Sequence, residues 1–233
     1  MSVLVRSARL LYITASLHDV TMAGSRRFTD RTDAGERLAT ALREQGIDAD
    51  IALAIPRGGL PLGRAVADEL DIPLDIVVAK KIGAPGNPEY AIGAVASDGS
   101  VWRNEEAFRG TSTDDDYFQQ RRDEEAKNAR QKAERYRGDR DAPGLAGKTV
   151  VVVDDGVATG STARACLKTL NETDAERIVL AVPVGPPDTI DSLESETDTV
   201  VCLETPRGFR GVGQFYVNFG QVSDEEAMTY LEQ

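Results

Sequence analysis

The chain has 233 residues, 41% of them hydrophobic and 28% charged, enough for one or two globular domains with a full core. No apolar run approaches the about 20 residues that cross a bilayer, which excludes a membrane-spanning helix. With 39 acidic against 27 basic residues the net charge is −12, a field that repels phosphate backbones and argues against nucleic acid as a partner. An anionic ligand must therefore be held by a local site acting against the global charge. The acidic excess fits either a high-salt cytoplasm or solubility alone. A single histidine, His18, and two distant cysteines, Cys166 and Cys202, leave little material for His-based triads, Cys–His pairs or zinc sites. The cysteines read as reduced thiols of a cytoplasmic chain.

Residues 1–21 do not share the pattern of the rest of the chain. Leu10–Ile13 is too short for a signal-peptide core, so the stretch reads as a disordered arm or a start-site artefact ahead of Met22. From Thr32 the pattern is regular. Ala34, Leu38, Ala41 and Leu42 mark one helix face, ended by Gly46; a buried strand is expected over 51–55, then the loop Pro56-Arg57-Gly58-Gly59. A helix is expected from Pro61 and a second strand over 74–79, ending in Lys80-Lys81, which is the rhythm of a parallel βαβ unit.

Residues 82–102 interrupt that rhythm with Gly83, Pro85, Gly86 and Pro88, and predict a loop with a hairpin at Asp98-Gly99. A strongly charged helix comes next, roughly 114–137 within a 112–137 segment, started by Ser112 or Thr113 and read as a solvated outer face, with an interface the less favoured alternative. The alternation then resumes, with strands over 149–153, 178–182 and 199–203, a helix after Gly160 and a short helix over 188–194. The fold class is α/β, a doubly wound, mostly parallel sheet with helices on both faces. Residues 22–204 are its core, 82–102 a flexible insert, and 205–233 an aromatic-rich C-terminal hood.

The chemically informative stretch is Val150-Val151-Val152-Val153-Asp154-Asp155-Gly156-Val157-Ala158-Thr159-Gly160-Ser161-Thr162. Four valines read as a buried parallel strand, and carboxylates at its C-terminal end sit where doubly wound sheets bind ligands. The small, hydroxyl-rich turn leads into a helix N-terminus, whose free amides and dipole favour a phosphate. Aspartates beside a phosphate cradle suit a sugar phosphate, because they accept hydrogen bonds from ribose hydroxyls. The turn is neither a GxGxxG dinucleotide loop nor a Walker loop, since no lysine follows the final glycine. Two acids and a Gly/Ser/Thr turn alone would equally describe an ordinary capped strand–helix connection.

The whole pattern resembles the diagnostic segment of the type I phosphoribosyltransferases. Pro56-Arg57-Gly58-Gly59 is similar to that family's pyrophosphate loop, Lys80-Lys81 to its basic pair, and 82–102 takes the place of its flexible loop. Phe215-Tyr216-Val217-Asn218-Phe219 resembles the hood of the family's poorly characterised members.

The resemblance implies an enzyme that transfers a phosphoribosyl group from 5-phosphoribosyl-1-diphosphate (PRPP) to a nucleobase or related small acceptor. Pyrophosphate leaves, and Mg2+ is bound mainly through PRPP. It implies that Asp154 and Asp155 hold the ribose hydroxyls and that Ala158, Thr159, Gly160, Ser161 and Thr162 hold the 5′-phosphate. Arg57, Gly58, Lys80 and Lys81 would face the diphosphate, although one lysine of the pair is expected to be a solvated strand-end charge. A non-proline cis peptide is implied near Arg57-Gly58.

Glu89 and Tyr90 are candidates for acid–base help or closure, with ordinary loop contacts an equal alternative. Val182, Val184, Phe215, Tyr216 and Phe219 are candidates for the base pocket, although aromatics in a short terminal lid more often pack than stack. Ala158 stands where oxopurine enzymes of the family carry Asp, which weakens a hypoxanthine or guanine assignment. The resemblance further implies a homodimer. A non-catalytic sensor of PRPP or a nucleotide is the alternative, while a PRPP synthetase is disfavoured by the short chain and the lack of visible ATP-binding elements.

Overall fold

The computed structural model describes residues 27–232, apart from 112, 139 and the side chain of Glu89. His18 and the expected N-terminal extension lie outside the described residues.

Helix α1 (Arg31–Glu44) is capped by Asp30, whose carboxylate accepts from the Asp33 amide, and buries Leu38, Ala41 and Leu42 as their spacing predicts. Strand β1 (Ile51–Ala54) leads through the Pro56–Gly58 loop into α2 (Gly59–Leu70), which starts two residues earlier than expected. Strand β2 is only Leu74–Ile76. After the insert come β6 (Thr149–Val153), α5 (Ser161–Leu170), β7 (Arg177–Val184), α6 (Pro187–Glu194) and β8 (Thr199–Glu204).

Five strands form one parallel sheet in the order β2-β1-β6-β7-β8. The four valines divide by the two-residue period of a strand. Val151 and Val153 pack with α1 and α2 residues such as Leu38, Leu42, Leu62 and Val66, whereas Val150 and Val152 pack with Leu167, Leu170 and Leu193 of α5 and α6. Each valine is fully buried, so the motif strand is the centre of a two-sided core.

The insert is more regular than its glycines and prolines predict. β3 (Ala79–Ala84), β4 (Asn87–Ala96) and β5 (Val101–Arg103) form an antiparallel sheet of their own. One turn is Pro85-Gly86 and the other Asp98-Gly99. Lys80 and Lys81 thus belong to β3 rather than ending a parallel strand, because β2 stops at Ile76. A short helix, α3 (Glu105–Gly110), then precedes α4 (Asp115–Arg137). Asp114 caps α4, its carboxylate accepting from the Tyr117 amide, while Thr113 is buried against Thr111 and is not the cap; Ser112 lies outside the described residues.

Residues 205–232 complete two of the cores instead of forming a detached lid. Phe28 bridges to Tyr216, Phe215 joins the α1 side, and α7 (Asp224–Thr229) packs on α4 through Val222, Ala227 and Leu231. No described helix is long and apolar enough to cross a membrane.

The far end of α4 is tied to the sheet edge. Arg137 Nε donates to Asp75 Oδ1 at 2.9 Å and its Nη2 to the Ile76 carbonyl at 2.9 Å, with both charged side chains 12% exposed. Replacing Arg137 by Met leaves the Asp75 carboxylate without its cation and is expected to cost about 3–5 kcal/mol in urea unfolding. The Asp75→Leu/Arg137→Met double variant should recover most of that loss, and equal losses in both would refute the pairing argument.

Candidate active site

The order of strand addition reverses at β1: β2 lies on one side of β1 and β6 on the other, all three parallel. The pairing of Ala54 with Val153 therefore brings the two following loops side by side at the strands' C-terminal ends, where such sheets bind ligands. Pro56-Arg57-Gly58 faces Asp154-Asp155. The approach is close enough to require glycine, since a Cβ on Gly58 would stand 2.1 Å from Asp155 Oδ2 and one on Gly59 2.5 Å from the Val153 carbonyl oxygen. The non-proline cis peptide is Pro56–Arg57, one bond before the expected position.

Asp155 is held from a distant part of the sequence. Arg31, the first residue of α1, brings Nε and Nη2 to Asp155 Oδ2, each at 2.9 Å. Its Nη1 donates to the Gly220 carbonyl at 2.8 Å, and its guanidinium lies 4.0 Å from the Phe219 ring centroid. Tyr216 fixes the same turn from below, its hydroxyl donating to the Asp155 carbonyl at 2.7 Å. Burial pushes the Asp155 carboxyl up, opposed by Arg31. Asp154 is raised further, first by burial and then by the neighbouring Asp155 charge, and it makes no ion pair among the described residues. This pair shares a strong bias toward holding a proton.

Two cavities open here. The larger, about 920 Å³, is lined by Arg31, Arg57, Lys80, Lys132 and Arg135 against two carboxylates, Asp155 and Asp224, a cationic basin in a chain of net charge −12. The smaller, about 610 Å³, is lined by Lys80 and Lys81 and by Thr159, Ser161 and Thr162 at the start of α5. Pro56, Lys80 and Lys132 line both. Within the hydroxyl turn, Thr159 Oγ1 and Ser161 Oγ are 3.0 Å apart. Gly160 takes φ +70°, a conformation glycine adopts without strain, and the Ala158 carbonyl accepts from Thr189 of α6. The side chain of Ala158 lines neither cavity.

Helix α4 supplies a wall of the larger cavity, and the expectation of a solvated face is corrected. Asn128, Gln131, Lys132 and Arg135 line the basin at helical spacing, while Ala129, Ala133 and Tyr136 are buried on the adjoining face. Tyr136 donates to Asp224 Oδ1 at 2.5 Å, and Arg135 pairs with Asp224 Oδ2 at 2.6 Å. Arg57 reaches the same carboxylate at 3.7 Å. The Tyr136 hydrogen bond, with Arg135 and Arg57, holds the Asp224 carboxyl below its ordinary value.

Four base-pocket candidates fall elsewhere. Val182 and Val184 have no exposed surface, because β7 is covered on both faces, and Phe215 and Tyr216 are buried as packing anchors. The aromatic that does reach the basin is Phe219, 38% exposed. Tyr90 is exposed on β4 and lines neither cavity; Glu89 lies outside the described side chains. Sequence reasoning missed Arg31 and the α4 residues. The signal for α4 was the 128, 131, 132, 135 spacing beside Ala129 and Ala133.

The phosphoribosyl transferase domain model matches residues 26–219, which span this site except for Gly220, Gln221, Val222 and the α7 carboxylate. The chain is a member of the phosphoribosyltransferase family. Two Mycobacterium tuberculosis proteins, from strains CDC 1551 and H37Rv and each named "putative phosphoribosyl transferase", are 42% identical to it over 205 residues. That alignment covers 88% of this chain and 46% of each relative, so this phosphoribosyltransferase chain spans about half the length of the curated relatives it matches. Among solved structures, the protein TT1426 from Thermus thermophilus is 40% identical and superimposes with a TM-score of 0.81 over 88% of this chain and 97% of that one. The fold expectation, a mostly parallel α/β sheet with a separate hairpin insert, holds in this member of the family.

Proposed function

We propose that the protein transfers the phosphoribosyl group of PRPP to a nitrogen of a nucleobase-like acceptor, releasing pyrophosphate. The observation that carries this reading is the joined pair of cavities. One is a cationic basin lined also by Asp155, whose neighbour Asp154 directly follows β6, the other a hydroxyl-lined helix N-terminus, and Lys80 and Lys132 border both. A molecule with a phosphate at one end, a diol in the middle and a diphosphate at the other matches that order.

In this reading Thr159, Ser161 and Thr162 with the first amides of α5 take the 5′-phosphate. Asp154 and Asp155 accept the ribose hydroxyls, and Arg57, the Gly58 backbone, Lys80 and Lys81 face the diphosphate. The acceptor nitrogen bonds to the anomeric carbon as the carbon–oxygen bond to diphosphate breaks; that electron pair leaves with pyrophosphate, and the acceptor's N–H proton passes to solvent. The cationic lining neutralises the leaving charge in place, so positioning and electrostatics carry the step without a covalent intermediate.

Among the described residues no group of three or more His, Cys, Asp or Glu side chains can hold a metal ion. The donor set fits Mg2+ that arrives on the substrate's phosphates and keeps its waters, with Asp154 and Asp155 as nearby oxygen donors. When bound, Mg2+ would supply charge neutralisation on the diphosphate.

The test is pyrophosphate release from PRPP and Mg2+ with adenine, hypoxanthine, guanine, xanthine, uracil or orotate, at low and high KCl. Release dependent on one base is expected. PRPP binding without release from any base would instead indicate a sensor, and absence of both would overturn the assignment of this site.

A further inference from the structure

Lys132 stands where the two cavities meet, and nothing in the motif segments points to it. It is carried by α4, far in sequence from the loops it faces, and its Nζ donates to the Pro56 carbonyl at 3.2 Å across 76 residues. The buried Ala129 and Ala133 seat the helix on either side, so the lysine is aimed inward by packing rather than lying along a free surface.

The groups around it come from five other segments. Lys80 of β3 and Arg57 of the β1–α2 loop repel it, Asp224 of α7 and Cys166 of α5 act in the opposite sense, and Asp154 at the end of β6 feels its charge. Asp224 is already engaged by Tyr136 and Arg135. Burial and then the Lys80 charge hold the Lys132 ammonium below its ordinary value. A neutral carbonyl is thus the hydrogen-bond partner of a half-buried cation beside two other cations, on the border of a basin that fits a polyanion.

We propose that Lys132 is a substrate-binding residue, whose ammonium leaves the Pro56 carbonyl to hold the diphosphate of PRPP at the junction of the two cavities. The proposal rests on the phosphoribosyl-transfer reading and adds α4 to the substrate-holding elements. The alternative for this residue is a structural tether between α4 and the Pro56 loop, and the two differ in what binding does to the lysine's proton. An arriving polyanion supplies counter-charge, which raises the affinity of Lys132 for its proton, so binding at alkaline pH takes up protons from solvent.

The experiment is calorimetric titration with PRPP or inorganic pyrophosphate, each with Mg2+, near pH 9 in two buffers of different ionisation enthalpy. Wild-type protein, Lys132→Met and Lys132→Arg are compared, with thermal unfolding to confirm that each is folded. Expected are proton uptake by the wild type, a loss of about 10- to 100-fold in affinity with no uptake for Lys132→Met, and affinity within a few-fold of wild type for Lys132→Arg. Unchanged affinity in Lys132→Met would overturn the proposal and leave the transferase reading standing. Weakened binding that Arg does not rescue, with no proton uptake by the wild type, would show the tether instead. Wild-type protein that binds neither ligand would take down the parent reading as well.

Discussion

Asp154→Asn is expected to raise the thermal midpoint and at the same time to slow PRPP-dependent pyrophosphate release. The Asp154 carboxyl is driven up by burial and by Asp155 beside it. A carboxylate whose folded value lies above its unfolded one binds its proton more tightly when folded, so its ionisation destabilises the fold as pH rises from the ordinary carboxylate range through the raised value. At pH 7.5 the amide removes that burden, and a gain of about 1 kcal/mol would appear as roughly 2–4 °C in a chain of this size. Toward pH 4, where Asp154 keeps its proton in the wild type, the two proteins should converge. Function moves the other way, because an amide offers the ribose no charged acceptor. The loss of one charge-assisted hydrogen bond, about 1.5–3 kcal/mol, corresponds to roughly 10- to 150-fold in kcat/KM.

Asp155→Asn should differ in a diagnostic way. Its carboxylate is paired with Arg31, whose side chain is only 12% exposed. The amide therefore weakens the hold on a partly buried guanidinium as well as on ribose, and both stability and turnover should fall. Differential scanning fluorimetry at pH 4 and 7.5, with a pyrophosphate assay, separates the cases. A lower midpoint for Asp154→Asn at pH 7.5 would contradict the electrostatic reading of the pair.

The second large effect is expected at the Pro56 loop. A methyl on Gly58 would lie 2.1 Å from Asp155 Oδ2 and 2.5 Å from Asp155 Cγ, contacts that real Cβ atoms do not make. Because Arg31 pins that carboxylate, either the acid leaves its partner or the loop lifts away from it. In both cases the diphosphate-facing loop and the ribose-facing acid lose their relation, and a displacement of about 1 Å is enough to cost roughly 10²-fold in rate.

Gly59→Ala meets backbone instead, 2.5 Å from the Val153 carbonyl oxygen and 3.2 Å from the Asp154 Cα. It should add a stability loss of about 1–3 kcal/mol, as overpacking does. Gly144→Ala is the control, since a Cβ there meets nothing within 4 Å, and it should change stability by less than about 0.5 kcal/mol. Wild-type turnover in Gly58→Ala would show that the two loops do not act as one surface.

These expectations concern a site that is acidic in its chain and cationic in its basin. A net charge of −12 is spread over the surface, while five basic side chains converge on one cavity from α1, the Pro56 loop, β3 and α4. Only the last of these sources is a helix that reads as uniformly charged. Its polarity was visible in the sequence, and Ala129 and Ala133 were the signal for its buried face, but a strongly polar helix has little moment to distinguish a solvent face from a cavity face.

The insert shows a different kind of difference. Gly83, Pro85, Gly86 and Pro88 signal turns, and turns are there, yet the segments between them pair into β3, β4 and β5. Local punctuation locates chain reversals, whereas sheet formation depends on pairing between strands that the local signal does not report.

What the sequence by itself determined is the part carried by contiguous residues. The four valines needed burial on both sides, which required a parallel central strand; the two acids and the small hydroxyl turn had to emerge at its C-terminal end. The alternation around them specified the sheet, and Pro56-Arg57-Gly58-Gly59 was legible as the loop after its first strand. Tertiary structure alone decided which residues complete the site. Arg31 meets Asp155 across 124 positions and Lys132 meets Pro56 across 76, contacts in which one end lies in a motif but no local signal names its partner. It also withdrew Val182, Val184, Phe215 and Tyr216 into the core and left Phe219 at the basin. The physical reason is the same throughout: secondary structure follows from the order of neighbouring side chains, but a binding surface is assembled from whichever distant side chains the packed core leaves facing one another.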